Sequence, residues 1–162
     1  MPPRLLAARF LALLVPAALM AGALGSQYLG GLYPCEMCHW QRWPHYAAIV
    51  LAGLAFVVRG TGPVRALVLL AGLAILASGA IGAFHAGVEY HWWQGITACT
   101  TTAAAGGGSA DAILARIMEA PIVRCDAPQW TLFGISLAGF NALFSLAGAL
   151  AIFTLLFAKA PR

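Results

Sequence analysis

The chain has 162 residues, of which 62% are hydrophobic and only 9% are charged. Soluble domains carry about 25% charged residues, so this composition excludes a water-covered globule and leaves a small polytopic membrane protein. The net charge of +4 comes from scattered basic residues, which argues against a nucleic-acid partner.

Four uncharged apolar stretches follow in chain order. The first covers about 10–29, behind Arg4 and Arg9. Small residues at Ala21-Gly22-Ala23 would suit processing of a signal peptide. Signal h-regions, however, run to about 7–15 residues, and this stretch is longer, so a retained span is expected. The second stretch is short unless it borrows Trp43-Pro44-His45 and covers about 43–58. The third covers about 66–88 and the fourth about 132–158. A span needs roughly 20 residues, and the second meets this only with its flank or in a thinned bilayer.

The basic residues orient these spans. Arg4 and Arg9 precede the first, Arg59 and Arg65 bracket the loop after the second, and Lys159 and Arg162 follow the fourth. All fall on one side if there are four spans, and the positive-inside rule makes that side cytoplasmic. The expected architecture is an all-α membrane protein, a four-transmembrane-helix bundle forming one integral-membrane domain over 1–162. Its outer loops are 30–42 and 89–131, and membrane lipid surrounds it.

The second outer loop opens on Tyr90, His91, Trp92 and Trp93, as expected at a membrane–water interface. Cys99 and a Thr, Ala and Gly run follow, with the composition of a flexible tether. Ser109 is a candidate N-cap, and Ile113, Leu114, Ile117 and Met118 share a face before Pro121. This predicts a short amphipathic helix, lying on the membrane surface or packed on the bundle. Cys125 comes next.

The first outer loop carries Tyr33-Pro34-Cys35-Glu36-Met37-Cys38-His39-Trp40-Gln41-Arg42-Trp43. Cys35 and Cys38 have redox-pair spacing, and adding His39 gives the spacing of a c-type haem site. A haem needs an enclosing pocket and a second axial ligand, for which this loop is short, although His45, His85, His91 or Met37 could serve. A membrane-anchored haem electron carrier is therefore the alternative reading, and a four-cysteine zinc site is a third. All four cysteines fall on the outer side, where disulfides are permitted. A C-x-x-C bridge closes too small a loop to constrain the unfolded chain much, so chemistry is the better account of Cys35 and Cys38. Pro34 places Cys35 near a helix N-terminus, where thiolate is favoured. Arg42 breaks the positive-inside pattern. It is either a headgroup snorkel or a cation that stabilises a Cys38 thiolate and an anionic electron acceptor, and Pro44 makes its helical placement conditional. Two dithiols suggest a relay ending at a lipid-soluble two-electron acceptor, a quinone. His85 and Glu89, one helical turn apart, are polar residues near the outer end of the third span. They either line the quinone pocket or form an interfacial pair.

Cys35-Glu-Met-Cys38 followed by Arg42, the later Cys99 and Cys125, and Gln129-Trp130 before the last span resemble the DsbB family of quinone-linked thiol oxidases of bacterial inner membranes. The likeness covers essentially the whole chain. In vitamin K epoxide reductase-like proteins the C-x-x-C comes late, whereas here it comes first. Met37 stands where leucine is frequent, and Pro44 leaves the start of the second span open. The resemblance implies a thiol:quinone oxidoreductase with both cysteine pairs on the periplasmic side of a multi-pass inner-membrane protein. A periplasmic DsbA-like thioredoxin-fold protein would attack a Cys99–Cys125 disulfide. Cys125 would then attack Cys35, and Cys38, beside Arg42, would pass two electrons to ubiquinone or menaquinone from the membrane pool through a Cys38–quinone adduct.

Overall fold

The computed structural model describes residues 1–97, 109, 111, 114 and 123–158. Four long helices form a bundle: α1 (Pro3–Tyr28), α2 (Glu36–Val57), α3 (Thr61–Glu89) and α4 (Leu137–Phe157). Three of them, α1, α3 and α4, are long and apolar enough to cross a membrane. At 1.5 Å per residue, the 22 residues of α2 reach about 33 Å. Its polar first turns dilute its hydropathy. The amphipathic helix expected in the second outer loop, and Cys99, lie outside the described residues apart from Ser109, Asp111 and Leu114.

α3 is the central helix, packing most extensively on α2 and α4. A Cβ added to Gly79 would stand 3.0 Å from Ser145 Cβ and Leu146 Cδ2, and one on Gly82 would stand 2.9 Å from Asn141 Nδ2. The missing side chains let α3 and α4 approach closely, as small residues do between membrane helices. The half of the core remote from the cysteines is correspondingly small-grained, with Ala8, Ala12, Ala48, Ala52, Ala55 and Ala71 all fully buried. Large apolar residues such as Phe10, Leu14, Val50, Leu73, Phe144 and Leu150 face outward, the inverse of a water-soluble surface.

Arginines close the helix ends at this pole. Arg9 donates to the Ala55 carbonyl at 3.3 Å and stacks on Phe56 with its guanidinium carbon 4.1 Å from the ring centre. Arg4 donates to Ala158 O at 3.0 Å, and Arg65 reaches Leu156 O. Each supplies a cation to carbonyls left open at a helix C-terminus. Cys35, Met37, Val88 and Cys125 cluster in a buried patch at the opposite pole.

Two features depart from the expected boundaries. α2 runs without interruption through Pro44, so the bend considered for Arg42 does not arise. The apolar stretch from 132 does not enter a helix at once. Thr131–Leu132 pairs antiparallel with Ile135–Ser136 as β1 and β2. Phe133 and Gly134 form the two-residue loop with φ of 53° and 78°, the positive-φ geometry that matches strand twist. Tyr90 Oη fixes this hairpin, donating to Gly134 O at 2.9 Å and accepting from Ser136 N–H at 2.8 Å. Ser136 then caps α4 by accepting from Gly139 N–H at 3.1 Å.

Candidate active site

The redox pair sits where α2 begins. Cys35 is the N-cap residue, with extended backbone, and its Sγ accepts from Cys38 N–H at 3.2 Å. Sulfur thus takes the place usually filled by a Ser or Asp oxygen, in the positive field of the first turn. The two Sγ atoms lie 2.7 Å apart, and Cys35, Cys38 and Cys125 are all free thiols. The hydrogen bond with Cys38, and then burial, push the Cys35 thiol up.

Cys125 comes from the far side of the second outer loop into the same buried patch as Cys35. It is fully buried, and Thr97 Oγ1 donates to its sulfur at 3.4 Å. The structure thus brings three of the four sequence-predicted cysteines together, and the fourth, Cys99, lies outside the described residues.

His85 closes the site from α3. Its Nε2 lies 3.5 Å from Cys35 Sγ and 3.8 Å from Glu89 Oε1. Gln41 sets its tautomer. The Gln41 amide donates to Met37 O at 3.2 Å and to His85 Nδ1 at 2.8 Å. With Nδ1 accepting, the imidazole proton sits on Nε2 and points toward the Cys35 sulfur and the Glu89 carboxylate. Glu89 Oε2 is buried without a partner among the described residues.

Arg42 is only 9% exposed, so it is no headgroup snorkel. Its Nη1 donates to Gln27 Oε1 at 2.6 Å and its Nη2 to Ala23 O at 3.1 Å, both on α1. Among the described residues no carboxylate pairs with it. The guanidinium is therefore oriented by neutral acceptors.

Cys38, Gln41, Arg42 and His45 present one polar wall to a cavity of about 380 Å³ between α1, α2 and α4. Leu19, Met20, Trp130, Leu132, Phe140 and Phe144 are among its apolar walls. This size and lining suit one flat apolar ring with a few polar substituents. A smaller cleft of about 50 Å³ opens beside it, lined by Cys35, Cys38, Arg42, His85, Glu89 and Gln129 among others. His85 and Glu89, expected either to line a quinone pocket or to form an interfacial pair, line this smaller cleft and lie within 3.8 Å of each other.

The alternatives fare less well on this geometry. His39 is exposed, and the imidazole that converges with Cys35 and Cys38 is that of His85. Three ligand atoms, from Cys35, Cys38 and His85, do lie within 4.8 Å of one another. Two thiolates on a tetrahedral zinc stand about 3.8 Å apart at the usual bond length, wider than the 2.7 Å seen here. The arrangement fits sulfur–sulfur chemistry better than metal binding.

Sequence reading considered His45 only as a possible haem ligand and a weaker candidate, and missed the polar set it joins inside the bundle: Gln27, Gln41, Ser78, Asn141 and Ser145. Their signal was present, since Gln41 and His45, and Asn141 and Ser145, are pairs four residues apart within or beside apolar stretches.

Comparison with known proteins agrees with the site. The chain is 32% identical over 156 residues to a disulfide bond formation protein B from Polaromonas sp. (strain JS666 / ATCC BAA-500), covering 93% of this chain and 88% of that protein. It is 25% identical over 122 residues to the uncharacterized protein RP370 of Rickettsia prowazekii (strain Madrid E), covering 75% of this chain and 70% of that one. No solved structure matches. The family model described as disulfide bond formation protein DsbB matches residues 5–155. On that match, with a C-x-x-C pair capping one helix of an apolar bundle, the chain belongs to the DsbB family of membrane disulfide-bond formation proteins.

Proposed function

We propose that this protein is a thiol:quinone oxidoreductase that reoxidises a periplasmic DsbA-like dithiol protein. The single observation that carries this reading is that Cys38 and Arg42 share the wall of the 380 Å³ cavity while Cys125 packs beside Cys35. A dithiol arriving at Cys99–Cys125 can thus be connected to an acceptor inside the bundle.

The relay runs through sulfur. A partner thiolate attacks Cys99, and its second thiol completes the partner's disulfide, leaving Cys99 and Cys125 reduced. Cys125 attacks Cys35 of the Cys35–Cys38 disulfide, and Cys99 resolves the mixed disulfide. Cys38 becomes the thiolate at the cavity wall, and Arg42 lowers the cost of negative charge there. A quinone in the cavity takes two electrons and two protons, so that two thiols and one quinone become one disulfide and one quinol. His85 Nε2–H faces Cys35 and steadies charge on that sulfur as the pair opens and closes. Which quinone, ubiquinone or menaquinone, is left to assay.

The chain forms one four-span domain of the inner membrane under this reading. The arginine-rich pole is cytoplasmic by the positive-inside rule, and both cysteine pairs are periplasmic. The test is a quinone-dependent oxidation assay with purified chain and a reduced DsbA-type protein. One quinol should form per disulfide made, and Cys38→Ser should abolish quinol formation. Absence of quinone-dependent thiol loss in the unsubstituted chain would overturn the reading.

A further inference from the structure

Arg42 is held from behind by α1, and both of its acceptors there are neutral. Its Nη1 donates to Gln27 Oε1 at 2.6 Å and its Nη2 to Ala23 O at 3.1 Å. Ala23 and Gln27 stand one turn apart on α1, so their oxygens lie along one side of that helix and meet two arms of the guanidinium fork. A guanidinium has donors and no acceptor, so the amide of Gln27 must turn its oxygen to it. Gln27 itself lines neither the large cavity nor the smaller cleft, whereas Arg42 lines both, each time together with Cys38. Glu89 is the one acidic residue among those described that lines the cleft. It does not line the large cavity, and its Oε1 lies 3.8 Å from His85 Nε2.

A buried arginine is ordinarily paired with an acid, because an unpaired charge is costly to take out of water. Glutamate has nearly the shape of glutamine and in place of Gln27 would make the stronger, charge-assisted bond. It would also set a negative charge beside the positive one, and the two fields would largely cancel at a ring in the cavity. A neutral amide fixes the guanidinium without that cancellation. We propose that Gln27 is a positioning residue that makes the cavity selective for rings bearing negative charge: its amide holds Arg42 at the cavity wall from outside the site and leaves the cation's attraction for the ligand unopposed. The assignment rests on the quinone reading above and adds to it the class of ring the site favours, ionised hydroxyquinones over neutral quinones of the same size. The same attraction acts on any quinone as electrons arrive and negative charge gathers on its oxygens. The expected preference is about tenfold, the worth of a hydrogen bond to a charged group, and it needs no contact between Gln27 and the ring.

The test measures binding, not turnover. Two probes are titrated against the full-length Cys38→Ser chain in detergent: lawsone, a hydroxynaphthoquinone ionised at neutral pH, and menadione, a neutral naphthoquinone of nearly the same size. Binding is read by quenching of tryptophan fluorescence, since Trp130 lines the cavity. With Gln27 in place, lawsone should bind about tenfold tighter than menadione. Gln27→Glu supplies a carboxylate to Arg42 and should bring the ratio of the two affinities to about one, with menadione binding little changed. If Gln27 were only a tie between α1 and α2, Gln27→Glu would strengthen the tie and keep the preference for lawsone, which would overturn the proposal. Should Gln27→Glu fail to fold, Gln27→Leu provides the second measurement. It frees one arm of the guanidinium without adding charge, so lawsone should lose severalfold more affinity than menadione, and equal losses for both rings would defeat the inference. Equal binding of the two rings while Gln27 is present sinks this proposal alone. Binding of neither ring sinks the quinone reading itself.

Discussion

Gln41 holds His85 across the α2–α3 interface: the Gln41 amide donates to His85 Nδ1 at 2.8 Å, which leaves the imidazole Nε2–H directed at Cys35 Sγ, 3.5 Å away. The same amide accepts from Asn141 on α4 through its Oε1, so one side chain ties the redox pair to three helices. Gln41→Leu keeps the volume and removes both links. His85 Nδ1 loses its donor, and Asn141 Nδ2 keeps only its Ser78 contacts. The expected cost is about 1–3 kcal/mol in unfolding free energy, measured by denaturant titration in detergent. Partner oxidation should slow because His85 is no longer held toward Cys35, and the apparent affinity for quinone should fall as well, because Gln41 also lines the larger cavity. An unchanged denaturation midpoint would show that the network is not what steadies this end of the bundle.

Arg42 gives a separable effect. Its two hydrogen bonds reach Gln27 Oε1 and Ala23 O on α1, a forked geometry that a lysine ammonium does not reproduce. Arg42→His should raise the quinone KM by about ten- to a hundredfold, the worth of a hydrogen bond to a charged group. Exchange between the two cysteine pairs should stay near the unsubstituted rate. Arg42→Lys should fall between. Turnover at low quinone equal to that of the unsubstituted chain would rule out a role for Arg42 in acceptor binding.

The cysteines, the arginine four residues on and the apolar spans are legible in the sequence because each is a local signal: a spacing, an excess of charge on one side, a run of hydropathy. Even the doubt over Pro44 was local, and it disappears because α2 is already established before Pro44 and held on both sides by α1 and α3. The polar network behind and around the cavity is different. Gln41, Ser78, His45 and Asn141 are separated by up to 100 positions, and only the packing of α2, α3 and α4 brings them together. The hairpin at 131–136 was hidden by its own composition, since Leu132, Phe133 and Ile135 read as the start of a span. What stops the helix there is Gly134 with its positive φ and the grip of Tyr90.

Cys125 tests the order of the relay. It is fully buried in the same patch as Cys35. Cys125→Ser should abolish quinone reduction driven by a reduced DsbA-type protein. Quinone reduction driven by a small dithiol able to reach Cys35 or Cys38 directly should persist at a measurable fraction of the usual rate. Equal loss with both reductants would mean that Cys125 supports the fold of the site and not the transfer.

The α3–α4 contact predicts opposite outcomes for two glycines. A Cβ at Gly82 would meet Asn141 Nδ2 at 2.9 Å and the backbone of Ala138 and Ala142 at 3.1 Å. Backbone cannot yield as a flexible side chain does, so Gly82→Ala should destabilise by about 1–3 kcal/mol and disturb the Asn141–His45 contact with it. Gly53, inside α2, has nothing within 4 Å of an added Cβ. Gly53→Ala there should be neutral or stabilise by about 0.5–1 kcal/mol through helix propensity. Thermal denaturation of both variants in the same detergent separates them, and a Gly82→Ala chain as stable as the unsubstituted one would show that the helices have room to part.

Topology offers the last test. Ile96 is 73% exposed near the cysteine pole, and Val58 is 38% exposed at the arginine pole. With the arginine pole cytoplasmic, Ile96→Cys in a chain whose native cysteines are replaced by serine should react with a membrane-impermeant maleimide once the outer membrane is opened. Val58→Cys should react only after the inner membrane is permeabilised. Which of the two labels from the periplasm depends on α2 crossing fully, the one long helix whose polar first turns weaken its hydropathy. If α2 failed to cross, the two sites would still lie at opposite ends of α3, but the first and last helices would not both keep their basic ends in the cytoplasm. Leu6, 39% exposed between Arg4 and Arg9 on α1, supplies the third site that decides this. Leu6→Cys should label with Val58→Cys and not with Ile96→Cys, and labelling of Leu6→Cys from the periplasmic side would break the four-span arrangement.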